Sequence, residues 1–123
     1  MNKLMNLQRI INHLELTVLT EPRDFAGIDP TGGYSSDLLS CVMAGAKRGN
    51  LWITLQAHLN VVAIAALNEL AAIIITENAQ PDTATITKAN QQGVILLATP
   101  LSTYAINGRL WEMGIGNEIR SRR

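Results

Sequence analysis

One cysteine, Cys41, cannot close an internal disulfide, so the fold must hold without covalent staples, as suits a reducing compartment. It lies in LLSCVMAGA (38–46), among apolar residues at helical spacing, where a free cysteine is expected to be a buried structural thiol rather than a nucleophile. Charge is scarce too. Asp, Glu, Lys and Arg make up 16% of the chain, against an ordinary share of about 25%, and ten bases cancel ten acids. That balance removes the electrostatic basis for gripping nucleic acid or an anionic membrane. The one basic cluster, Arg120, Arg122 and Arg123, reads as part of a solvated tail. The amino-terminal segment has no cleavable signal pattern, and the longest apolar run, Val61–Leu67, falls far below the ~20 residues of a membrane span. A cytoplasmic protein is expected. Aromatics are only 4% of a chain that is 47% hydrophobic. Ala, Ile, Leu and Val fill the gap, a composition for a tightly packed α/β core with apolar surface left over for a second copy of the chain.

What is present is strongly periodic. Leu4, Leu7, Ile10, Ile11 and Leu14 predict an amphipathic helix, with His13 as a structural residue within it, and LTVLT (16–20) a short strand. EPRDFAGIDPTGG (21–33) is a loop with room for a brief strand at 26–28 or 32–34. Ser35 or Ser36 is placed to cap a helix whose first turn holds Asp37 and whose inner face is Leu38, Leu39, Val42, Met43 and Ala46. Strands are predicted at 51–55, 72–76 and 94–98, the last two without any polar alternation, as in parallel strands covered on both faces. Helices fall between them: 59–70 with Asn60 as a candidate cap, one from Asp82 or Thr83 to Gly93, and a last one after Pro100. The alternation from residue 50 onward is that of βαβ units. The expectation is one α/β domain over 3–115, a mainly parallel sheet of four to five strands flanked by helices in three layers, then a polar tail at 116–123. The helix at 59–70 is apolar around its circumference, so it must be buried on more than its sheet side. A homodimer buries it most simply, a sandwiched position within one chain otherwise.

Parallel sheets gather ligands at the carboxyl ends of their strands. The residues collected there are Gln56, His58 and Asn60 after one strand, Thr76, Glu77 and Asn78 at the next, and Thr99 at the last. GGYSSDLLS (32–40) adds Gly33, Ser35 and Ser36. It has neither the spacing nor the lysine of a phosphate-binding loop, so it is a turn whose hydroxyls and backbone are candidate ligand contacts. The candidate ligand set is therefore Gly33, Ser35, Ser36, Gln56, His58, Asn60, Thr76 and Thr99. His58 is the one acid–base group of note, and a catalytic alternative uses it as general base with Glu77 orienting it. Otherwise it is a first-turn residue making a structural hydrogen bond. No metal site is expected from one His and one Glu, and no cofactor motif is present.

The colinear series GGYSSDLLSCVMAGA, GNLWITLQAHLNVVAIAALNELAAIIIT and GVILLAT resembles the DRTGG domain family, in its stand-alone single-domain form, over about residues 3–115. The resemblance implies a fold akin to the amino-terminal domain of HPr kinase. It also implies a regulatory module with dimer contacts and no activity of its own, and, by analogy with muramyl ligases, a nucleotide-like ligand. The family's Asp-Arg falls on Ala57 and His58, and its Thr-Gly-Gly on Thr76, Glu77 and Asn78, so of these only the Thr is kept. The local Thr31-Gly32-Gly33 is a different site. The expected function is a non-catalytic, homodimeric, ligand-sensing or regulatory module acting on a small polar metabolite or a partner protein. The rival readings are a small hydrolase or transferase built on His58, and a docking adaptor without a pocket.

Overall fold

Three buried strands organise the molecule. The computed structural model describes residues 5–116, and Leu4 and the tail beyond Gly116 lie outside them. β3 (Asn50–Thr54), β4 (Ala72–Ile75) and β5 (Leu96–Ala98) are buried at every position. β-Branched and aliphatic side chains with no polar face can form strands only where both faces are covered. β2 (Gly32–Ser35) and β1 (Thr17–Val18) flank them, giving one five-stranded sheet in the order β1-β5-β4-β3-β2. β2 to β5 run parallel, and β1 pairs antiparallel with β5.

The sheet has two sides because successive side chains alternate. Leu51, Ile53, Ala72, Ile74 and Leu97 pack with α1 (Leu7–Leu14) and α5 (Thr103–Glu112). Trp52, Ile73, Ile75 and Leu96 pack with the crossover helices α2 (Leu39–Gly45), α3 (Asn60–Leu67) and α4 (Thr83–Gln92). The result is the predicted three-layer α/β architecture, mainly parallel and with helices on both faces. α4 begins and ends where its caps place it: Asp82 accepts from Thr85 N–H at 2.9 Å, and Gly93 closes the helix at φ +73°.

Three local readings change. Ser35 belongs to β2, and α2 starts at Leu39, with Leu38 in the cap position and no side-chain cap; the Ser36 hydroxyl accepts from Leu38 N–H, at 3.1 Å, in the turn before it. Cys41 is exposed rather than buried, because α2 buries Val42 alone, and Leu38 and Met43 are 61% and 49% exposed. Asn60 is the first residue of α3 rather than its cap. Helical spacing tells which residues share a face, but not whether that face meets anything.

α3 is covered by its own chain on part of its circumference only. Val61, Val62, Ile64 and Ala65 are buried within the chain, whereas Leu59, Ala63 and Leu67 remain outside.

Gly49 and Gly93 both take left-handed φ, +82° and +73°, but a Cβ on Gly49 would stand 2.8 Å from Thr31 Cγ2, and one on Gly93 would meet nothing. Gly93→Ala should therefore cost about 1 kcal/mol, the backbone strain alone, and Gly49→Ala about 2 kcal/mol or more. Chemical denaturation of the two variants should show that order, and equal losses would show that Thr31 yields freely.

Candidate functional site

Because β2 to β5 are parallel, their carboxyl ends open on one edge of the sheet, and the loops that follow them form its rim. The β2–α2 loop is latched onto the end of β3. Asp37 Oδ1 accepts from the Thr54 hydroxyl at 2.7 Å and from Leu55 N–H at 2.9 Å, and its carbonyl accepts from Gln56 Nε2 at 3.1 Å. The Trp52 indole N–H reaches the Ser36 carbonyl at 2.9 Å from the opposite side. Asp37 thus joins two strand ends, where its position in the sequence suggested a helix first turn.

The second half of the rim ties β4 to α5. Thr76, fully buried, shares a hydrogen bond of 2.6 Å with the Thr103 hydroxyl, and Thr99, also buried, accepts from Leu101 N–H at 3.1 Å. Glu77 and Asn78 both stand at φ +60°, a left-handed conformation that costs a side-chain-bearing residue roughly 1 kcal/mol. Their amides donate to Leu101 and Thr99 carbonyls at 2.8 and 3.1 Å. The Glu77 carboxylate accepts from Thr103 N–H, the first residue of α5, at 2.9 Å. Negative charge at a helix amino terminus is stabilising there. Glu77 is therefore engaged with α5.

His58 is exposed, in the segment between β3 and α3. Asp82 is held below the usual carboxylate range first by the Thr85 N–H, then by the Thr85 hydroxyl, with a smaller contribution from the charge of His58. The carboxylate that senses His58 is thus Asp82, and among the described residues no hydrogen bond or ion pair joins His58 to Glu77. The described residues also contain no cluster of three or more His, Cys, Asp or Glu placed to hold a metal, and no helix long and apolar enough to cross a membrane.

The eight candidate ligand residues fall into three places. Thr76 and Thr99 lie buried beneath the rim. Ser36 and Gln56 belong to the Asp37 latch, and His58 and Asn60 follow it, exposed, at the start of α3. Gly33 and Ser35 turn to the opposite face of the sheet. There the Ser35 hydroxyl donates to Asn107 Oδ1 of α5 at 2.6 Å. Gly33, Ser35, Ile53, Asn107, Leu110 and Trp111 line most of a hollow of ≈ 170 Å³ between β2 and α5. A Cβ on Gly33 would make ordinary van der Waals contact, 3.7 Å from Ile53 Cδ1 and 3.9 Å from the Leu51 carbonyl. Asn107 and Asp37 were not among the candidates. A polar residue in the Ala-Ile-Asn-Gly run of a helix, and an acid just before one, were the only signals for them.

No protein-family model and no curated protein matches the sequence. Its structure matches the CBS and DRTGG domains of the regulatory region of Clostridium perfringens pyrophosphatase, solved with the activator diadenosine tetraphosphate. The TM-score is 0.70 at 12% sequence identity, over 86% of this chain and 46% of that one. The chain has a DRTGG-like fold. It spans under half the length of the matched chain. Within the DRTGG-like fold, the two left-handed residues gain a meaning: Glu77 and Asn78 stand where the family resemblance places the paired glycines. The backbone is one that glycine adopts freely, and here it carries side chains, one of which anchors α5.

Two outcomes follow from this loop. Glu77→Ala should destabilise the fold more than Glu77→Gly, by about 1 kcal/mol in urea denaturation, since alanine loses the carboxylate and keeps the strain. A folded-state pKa below the unfolded one means that ionised Asp82 stabilises the fold above the unfolded value, and that this is lost as pH falls through the folded value. Asp82→Asn keeps the cap but not the charge, so thermal melting against pH should show a shallower acid limb for the variant; an unchanged limb would remove Asp82 from the acid response.

Proposed function

We propose that this DRTGG-like chain is a non-catalytic regulatory module, a homodimer in a reducing, cytoplasmic setting, that senses a small polar or nucleoside-like metabolite. The observation that carries the reading is the hollow between β2 and α5. Its apolar walls, Ile53 and Leu110, meet two polar side chains, Ser35 and Asn107, beside Gly33, which adds no side chain of its own. Pockets for drug-sized ligands run to about 300–1,000 Å³, so ≈ 170 Å³ suits a single flat ring with hydrogen-bonding edges. The acids at the rim, Asp37, Glu77 and Asp82, favour a ligand whose charge is low or kept away from them. The matched regulatory region, which was solved with a dinucleotide activator, supports a regulatory role and a nucleoside-like ligand. The commitment of Glu77 to α5 weighs against His58 as the base of a Glu-assisted hydrolase.

A thermal-shift series with adenosine, uridine, ATP and diadenosine tetraphosphate tests this directly, because a ligand that binds only the folded state raises its melting temperature. At least one nucleoside should give a dose-dependent rise, and Gly33→Val, which fills the hollow, should abolish that rise while leaving the unliganded melt within a few degrees. A rise that survives in Gly33→Val places the ligand elsewhere, and no rise with any of the four sinks the nucleoside reading.

A further inference from the structure

α2 and α3 present an uncharged apolar surface. Leu38–Ala46 and Leu55–Leu67 contain no Asp, Glu, Lys or Arg in a chain that is otherwise supplied with both signs. Leu59, Ala63 and Leu67 recur every fourth residue, so they form one stripe along α3, and Leu59 and Leu67 are 45% and 68% exposed. Met43 of the adjoining α2 is 49% exposed. α2 is only seven residues long, has no side-chain cap and buries a single residue, Val42. A helix that short has little stability of its own in water and depends on packing. Charges appear where the stretches end: Asp37 precedes one, and Lys47 and Arg48 follow it; Glu69 closes the other and pairs with Arg48 at 2.9 Å. An apolar centre with a charged rim is the anatomy of an interface between proteins.

We propose that this face is the homodimer interface, with α3 crossing the α3 of a second copy about a two-fold axis near Ala63. The inference rests on the dimer reading above and adds where the contact lies. A second copy is the occupant that the charge pattern favours. A two-fold axis sets a surface against itself, so any net charge near the axis would meet its like, and this surface carries none. Ala63, the small residue of the stripe, lets two helix backbones approach closely, with Leu59 and Leu67 packing on either side.

The experiment uses the full chain in two measurements. Sedimentation velocity from low to about 100 μM should show a monomer–dimer equilibrium, and Leu67→Glu should weaken it about 100-fold or more, since the two-fold axis makes every substitution count twice. Circular dichroism should show the variant folded, as Leu67 is exposed in the monomer; a loss of fold would show Leu67 to be core and overturn the proposal. In a Cys41→Ser background, Ala63→Cys should form an intermolecular disulfide under mild oxidation. A wild-type chain that stays monomeric overturns both the dimer reading and this interface. A dimer that neither Leu67→Glu weakens nor Ala63→Cys crosslinks overturns the interface alone and leaves the dimer reading standing.

Discussion

Burial of β3, β4 and β5 on both faces is the constraint from which the rest of the structure follows. Strands without a polar side cannot tolerate water on either face, so helices must cover both. Parallel strands also need a crossover between each pair, and α2, α3 and α4 serve as those crossovers while forming one of the two layers. α1 and α5 complete the other. The same parallel direction puts every strand's carboxyl end on one edge, which is why the polar loops meet there.

The rim is held by side chains that join neighbouring loops. Asp37 ties the end of β2 to the end of β3, and Glu77 ties β4 to the start of α5. Both carboxylates accept backbone N–H groups, a use of charge that suits a chain with little of it. These groups are engaged in holding the loops, and a hollow lies to one side of them, between β2 and α5, where Gly33 contributes no side chain. The distribution of work is that of a scaffold with a small hollow, in accord with a regulatory reading.

The buried strands were legible from the sequence because their runs lack polar alternation, and α4 was legible because Asp82 and Gly93 mark its ends chemically. The segment from Gly32 to Ala46 was less so. Its hydroxyls and acid fit a helix cap as well as a strand end, and what separates the two is the Thr54 hydroxyl and the Leu55 amide, which lie across a strand pair and are brought near only by folding. Cys41 fails for a related reason. Its apolar neighbours imply burial, yet α2 rests at the sheet margin and buries Val42 alone.

By itself the sequence determined the layer architecture, the order of strands and helices along the chain, and the excess of uncharged apolar residues around α3, since these depend on composition and local periodicity. Tertiary structure decided the partners. It sent Glu77 to α5, away from any bond to His58, set Ser35 against Asn107 across 72 positions of chain, and reduced an all-apolar helix to a single uncovered stripe. Those outcomes depend on which surfaces meet, and no spacing along the chain encodes a distance across the sheet.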